Sequence, residues 1–373
     1  MCQPVVWYVS GHGFGHASRD IEIINALRDR CPGLPVVVRT GARRWIFDLT
    51  LRHPVDFQPV ECDTGVVQID GLRLDETETV RRAASFYRDL DAKVRDEAEV
   101  LNRLGAALVV GDIPPLAFAA AHAAGLPSVA VGNFTWDWIY EGYEPELHGA
   151  PNLVPLVRAA CAHADLFVRL PMWGGFDMAP ADATIDVPLV ARRSVREPAE
   201  TRRALGLPLD RKLVLLSFGG HGLKGLSPEA FRVFGDEYVA VVTGQLEMSD
   251  AARRSGGGVI DIDEQALYGA GWRYEDLVAA VDVVATKPGY GIIAECAAHD
   301  TALLYTSRGH FVEYEVLVQE MPRYVRSQFI PQEALFAGDW KPYLEELLSQ
   351  DRPEPADVGG ARIVADLILE RLS

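Results

Sequence analysis

Short apolar runs recur along this chain, each closed by glycine, proline or polar residues, and between them apolar positions fall three or four apart. Val5–Val9 (VVWYV) predicts a buried strand. It breaks into Ser10-Gly11-His12-Gly13-Phe14-Gly15-His16, and a helix is expected from near Ala17, with Ile21, Ile24 and Leu27 on one face. The same rhythm predicts strands over 35–38, 55–60, 106–110, 127–131 and 166–170, with helices over 42–53, 75–104 and 116–124. A stretch rich in Gly, Pro and Ala follows, and 187–196 reads as a linker. Beyond it, strands are expected at Lys212–Ser217, 238–242, 258–262, Val283–Thr286 and 301–305. Helices are expected over 201–205, 272–281, from Gly291 through Glu295, 332–348 and 358–372. Strands alternating with helices predict α/β architecture with mostly parallel sheets. Each half opens on a strand and a glycine-rich turn, as two Rossmann-like domains facing across a cleft would.

Parallel strands bring their carboxyl ends to one edge, so the turns after them carry the candidate chemistry. In the first turn, Gly11, Gly13 and Gly15 allow close backbone approach, and the helix start offers N–H groups to an anion. His16 reads as a proton-transfer group or as a residue capping the helix start; His12 either joins it or lines the turn. Asp112, just past another strand, is either a turn residue before Pro114 or the carboxylate that orients His16 from 96 positions away. Gly132-Asn133-Phe134-Thr135-Trp136-Asp137-Trp138-Ile139-Tyr140 is dense in aromatics, fit to stack on a sugar or to plug the space between domains. In the second half, Phe218-Gly219-Gly220-His221-Gly222 follows the first strand. Lys287-Pro288-Gly289-Tyr290-Gly291 combines a strand end, a cation and a helix start, which suits an anion; tight packing is the other reading of its glycines. Glu295 lies further along that helix, at a position suited to ribose hydroxyls. A polar cluster from Arg308 through Phe311, Glu313 and Tyr314 follows the next strand.

Composition narrows the field. The 373 residues, about half of them hydrophobic, allow two domains with ample core. A net charge of −17 without a basic run argues against a nucleic-acid partner. Five scattered cysteines without metal or redox spacing point to reduced thiols in a cytoplasm. No signal peptide and no membrane-spanning stretch are expected. There is no GxSxG elbow, no third glycine of a dinucleotide fingerprint and no Walker sequence. Asp261-Ile262-Asp263 has the spacing of a metal-binding acid pair, but it falls within an expected strand.

These motifs resemble the GT-B glycosyltransferase superfamily over nearly the whole chain. The run AAVDVVATKPGYGIIAE is similar to the donor-binding signature of the peptidoglycan N-acetylglucosaminyltransferase group. That likeness implies a donor site in which Lys287, Gly289, Tyr290 and Gly291 meet a diphosphate and Glu295 the ribose. Phe311, Glu313 and Tyr314 would lie at the donor sugar, Trp272 and Tyr274 at the base, and Gly219, Gly220, His221 and Gly222 at the phosphates. In the first half it implies His16 as base with Asp112 behind it, Gly13 and Gly15 beside the donor, and His12, Phe134, Trp136, Asp137 and Tyr140 facing the acceptor. SGHGFGHASRD and GNFTWDWIY most resemble the N-terminal domain of plant L-arabinokinase and its free-standing bacterial relatives. GFGHASRD is also similar to the Gly-x-Gly-His-x-x-Arg turn of the UDP-sugar hydrolase of pseudaminic acid synthesis. The resemblance therefore implies a first domain over 1–190, a donor domain over 191–357, and a last helix over 358–373 returning to the first. The expected activity is inverting, metal-independent transfer of a sugar from a nucleotide diphosphate sugar, most simply a UDP-sugar, to a small-molecule or glycan hydroxyl, with no separate cofactor. A hydrolase of the same fold and a non-catalytic nucleotide-sugar-binding module are the alternatives.

Overall fold

The computed structural model describes residues 3–218, 228–243 and 258–372. Its first sheet comprises β1 (Val5–Val9), β2 (Val36–Thr40), β3 (Asp56–Pro59), β4 (Leu108–Asp112), β5 (Ser128–Gly132), β6 (Leu166–Arg169) and β7 (Thr184–Asp186). Helices α1 (Gly13–Arg30), α2 (Arg44–Thr50), α3 (Glu76–Arg88), α4 (Leu90–Leu104), α5 (Pro115–Ala124), α6 (Trp136–Glu141) and α7 (Leu153–Cys161) connect these strands. The second half begins with α8 (Pro198–Ala204) and continues with α9 (Glu264–Gly269), α10 (Tyr274–Ala280), α11 (Tyr290–His299), α12 (Glu313–Glu320), α13 (Gln332–Ala337), α14 (Lys341–Ser349) and α15 (Gly360–Arg371). Its sheet contains β8 (Lys212–Ser217), β9 (Tyr238–Thr243), β10 (Val259–Ile262), β11 (Val283–Thr286), β12 (Ala302–Tyr305) and β13 (Ser327–Phe329).

Both sheets are parallel throughout. Their orders are β3-β2-β1-β4-β5-β6-β7 and β10-β9-β8-β11-β12-β13. In each, the order reverses beside the opening strand, and such switch points leave a crevice at the carboxyl ends. Register does the rest. Val9 pairs with Asp112 across β1 and β4, and Ser217 pairs with Thr286 across β8 and β11. The turn after β1 and the end of β4 are therefore neighbours by construction, as are the ends of β8 and β11.

Strands β1, β4 and β5 are buried along their whole length, as strands covered on both faces must be. Helix α1 is nearly as enclosed: Ile21, Ile24 and Leu27 pack on the sheet, and α15 covers its far side with Val364, Ala365 and Ile368. Several expected boundaries move, among them three in helices. Helix α1 starts at Gly13 rather than near Ala17, because Gly13 takes φ +72° and turns the chain directly into the helix. The expected single helix over 75–104 is two, broken at Asp89. The stretch 332–348 likewise splits into α13 and α14 at Gly338, φ +79°.

Candidate active site

His16 lies in the first turn of α1, and Asp112 is the last residue of β4. The two meet: His16 Nδ1 is 3.0 Å from Asp112 Oδ1, with the carboxylate fully buried and the imidazole 5% exposed. Ile113, next after Asp112, is held at φ +62° with its side chain buried. A β-branched residue there is strained, so packing holds this backbone in place. Phe134 and Trp136 flank the imidazole at 5.5 and 6.1 Å between ring centroids.

Sequence reasoning missed Arg19, which sits three residues on from His16 and so on the same helix face. Its Nε donates to Asp112 Oδ2 at 2.6 Å and its Nη2 to Oδ1 at 2.5 Å, a two-pronged ion pair. Nη1 donates to Asn133 Oδ1 at 2.5 Å, and Asn133 Nδ2 donates to Glu313 Oε1 at 2.7 Å, in the second domain. Burial would raise the Asp112 carboxyl, but the charges and hydrogen bonds of Arg19 and His16 outweigh it and hold it well below the usual carboxylate range. Neighbouring Asp63 goes the other way. Burial lifts it to about 6, although Trp136 Nε1 donates to it at 2.9 Å. Arg19 and Asn133 belong to the two motifs GHASRD and GNFTW; what went unread was that both are buried and polar.

These groups open onto a cavity of about 260 Å³ between the two sheets. From the first domain His12, Gly13, Gly15, His16, Arg19 and Phe134 line it, and from the second Tyr274, Lys287, Gly289, Tyr290, Gly291, Glu295, Phe311 and Glu313. Helices α1 and α11 begin on opposite sides, close enough that a Cβ at Gly291 would stand 3.7 Å from the Gly15 Cα. His12 stacks on Phe311 across the gap with centroids 6.1 Å apart. Burial, with Arg308 nearby, pushes the Lys287 ammonium well below its ordinary range, and burial lowers the Arg308 guanidinium as well. Arg308 Nε is buried with no hydrogen-bond partner among the described residues. Two desolvated basic side chains beside a helix start make a place where an anion is favoured.

Other expected residues stand elsewhere. Asp137 is buried in an ion pair with Arg158 at 2.8 Å and does not line the cavity. Trp136 and Tyr140 are stacked and fully buried behind the wall, where Trp136 serves Asp63 and Tyr140 contacts Thr64 and the Gly65 carbonyl. Of the aromatic segment, Phe134 and Asn133 face the cavity and the rest is packing. Trp272 lies outside the lining with Arg196 over its ring at 4.2 Å, and Tyr314 is also outside. Glu295 does line the cavity, but Arg192 from the linker already holds its carboxylate, with Nε at 2.6 Å and Nη2 at 2.5 Å. Burial raises Glu295 to about 7 against that cation. Asp263 caps α9 by accepting from the Ala266 N–H at 2.6 Å. Among the described residues no cluster of three or more His, Cys, Asp or Glu is placed to hold a metal, and no helix is long and apolar enough to cross a membrane. Gly219, Gly220, His221 and Gly222 lie outside the described residues.

Comparison with solved structures places this architecture. The glycosyltransferase of kitacinnamycin aligns over 100% of both chains with a TM-score of 0.62 at 16% identity. The calicheamicin glycosyltransferase CalG4 aligns over 100% of this chain and 99% of its own, with a TM-score of 0.61 at 16% identity. This is the GT-B fold. UGT89C1 of Arabidopsis thaliana, solved with UDP-L-rhamnose, shares that fold over 100% of both chains with a TM-score of 0.61 at 15% identity. In sequence, L-arabinokinase of Arabidopsis thaliana is 31% identical over 375 residues, covering 98% of this chain and 34% of that protein. The chain thus spans about a third of the length of the curated relative it matches. No family model matches it. The GT-B fold and the likeness to L-arabinokinase are as the sequence motifs led one to expect.

Proposed function

We propose that this chain is an inverting, metal-independent glycosyltransferase that takes a sugar from a nucleotide diphosphate sugar and passes it to an acceptor hydroxyl. The observation that carries this reading is the facing of His16, backed by Asp112, toward Lys287 and the start of α11 across one cavity. His16 Nε2 makes no hydrogen bond among the described residues, so it is the ring nitrogen left for an acceptor proton. Asp112 holds Nδ1 and stabilises the imidazolium as the proton arrives. The hydroxyl oxygen attacks the anomeric carbon from the side of the first domain, and the diphosphate leaves toward Lys287, Arg308 and the α11 amides. Such a cradle supplies the positive charge that a departing diphosphate needs. UDP is the nucleotide to try first.

The test is His16→Ala. Turnover of the accepted donor should fall by about two to four decades, the usual worth of a positioned base, while calorimetry shows UDP still bound. Near-normal turnover would remove His16 from this role. One observation favours a second reading, in which His16 activates water: Arg19, the last fixed residue of the turn shared with the UDP-sugar hydrolase, is part of the site. Sugar released from the donor without any acceptor would select that reading.

A further inference from the structure

A carboxylate behind an imidazole creates a difficulty. Left to itself a buried carboxylate tightens the ring's hold on a proton and so reduces the share of neutral imidazole that can act as a base. Arg19 answers that difficulty. It lies 4% exposed and spends both prongs of its guanidinium on the two oxygens of Asp112, at 2.6 and 2.5 Å. Arg19 Nη2, Asp112 Oδ1 and His16 Nδ1 form a triangle with sides of 2.5, 3.0 and 3.0 Å. Nη2 carries two protons, so it can serve Oδ1 and still reach Nδ1. What favours an Nδ1–H donor is the anionic Oδ1 at 3.0 Å, an acceptor that the ring's lone pair would otherwise face with no proton between them. That tautomer leaves Nε2 with its lone pair. The third Arg19 bond fixes the Asn133 amide with its oxygen toward Arg19, and its nitrogen therefore donates to Glu313. Glu313 is the first residue of α12, is 5% exposed and belongs to the other domain.

We infer that Arg19 is the positioning residue of the His16–Asp112 pair: it takes up the Asp112 charge so that the imidazole keeps its Nδ1–H tautomer, and through Asn133 it joins the pair to Glu313 across the crevice. The inference rests on the reading of His16 as a base. The charged and titratable groups around the pair are Arg19 and Asp20 on α1, Asp112 on β4, Asp63 before α3, His12 in the first turn, and Glu313 through Asn133. Arg19 also lies 5.3 Å from the Tyr290 ring centroid, so the second domain touches its other face.

The experiment follows the His16 ring nitrogens by NMR in the full chain labelled at histidine, which reads protonation and tautomer without any substrate. In the unsubstituted protein the neutral ring should carry its proton on Nδ1. In Arg19→Gln the Asp112 charge is no longer offset, and His16 should hold its proton about tenfold more tightly or more, the usual effect of an uncompensated carboxylate at contact distance. Arg19→Lys restores the charge and should bring the titration most of the way back. Asn133→Ala should leave the titration in place while loosening Glu313, seen as faster amide exchange at the start of α12. An unchanged titration in Arg19→Gln, or a neutral ring protonated on Nε2 in the unsubstituted protein, overturns the inference. The tautomer measurement needs no variant, so it decides even if Arg19→Gln does not fold. Loss of the base reading would come from His16→Ala turnover instead, so the two failures are distinguishable.

Discussion

At the scale of single residues, this site is governed by buried charge. Asp112 is ionised because Arg19 and His16 face it, whereas Asp63, a short distance away and without a cation at contact, is lifted by burial. The cations of the second domain sit in the opposite predicament. Lys287 is desolvated beside Arg308, and Glu313 offsets them only in part. A phosphate entering the cavity supplies the missing anion and favours the ammonium form. On the proposed reading, a lysine held below its usual range in the free site takes up a proton as a nucleotide diphosphate binds. Calorimetry with UDP in buffers of different ionisation heat should show net proton uptake, and affinity should weaken as pH rises. Affinity independent of pH across the alkaline range would place the diphosphate away from Lys287.

At the scale of elements, two helix starts and a glycine loop shape the cavity. Helices α1 and α11 point their amino ends at the crevice from opposite sides, because each follows the first or last strand of its sheet's switch point. The His12 ring is held by a loop passing behind it. Val66 N–H donates to His12 Nδ1 at 3.3 Å, and Gly65, at φ +58°, lies so near that a Cβ there would stand 2.7 Å from the His12 Cβ. Gly65→Ala combines a left-handed backbone with a clash, and should cost about 1–3 kcal/mol by urea denaturation. It should also turn His12 off Phe311 and so weaken ligand binding. An alanine variant of wild-type stability would mean that the loop can move aside. The neighbouring Gly13 is required for the same backbone reason, since its φ of +72° lets α1 begin early enough to carry His16 in its first turn.

At the scale of the whole molecule, the last helix ties the two domains together. Gly359 bridges to Val190, and α15 then lies along α1 in the first domain. Gly360 leads into that helix against the linker, with no space for a side chain: a Cβ would stand 2.2 Å from the Pro188 carbonyl oxygen and 2.9 Å from that of Leu189. Gly360→Ala should push α15 off its seat at a cost of about 1–3 kcal/mol, seen as a lower melting temperature and faster amide exchange along α1. Unaltered exchange in α1 would show that α15 packs there without supporting it. The same linker supplies Arg192 to Glu295 and the Val190 N–H to the Tyr290 hydroxyl, so the hinge between the domains is wired into the cavity wall.

The alternation of apolar runs, glycine turns and helical spacing was enough to specify two parallel α/β halves, because burial on both faces leaves strands no other composition. It also placed His16, Asp112, Lys287 and Gly289 at strand ends, since period and punctuation are local properties of a chain. Which of those ends meet is not local. Register and strand order decided that Asp112 would stand beside the turn carrying His16, and packing decided that Trp136 and Tyr140 would turn inward while Phe134 faced the cavity. Sequence alone could not show that Arg192 would claim Glu295 or that Arg19 would join Asp112 to Asn133. A buried charge chooses its partner by desolvation and distance, and both exist only once the chain has folded.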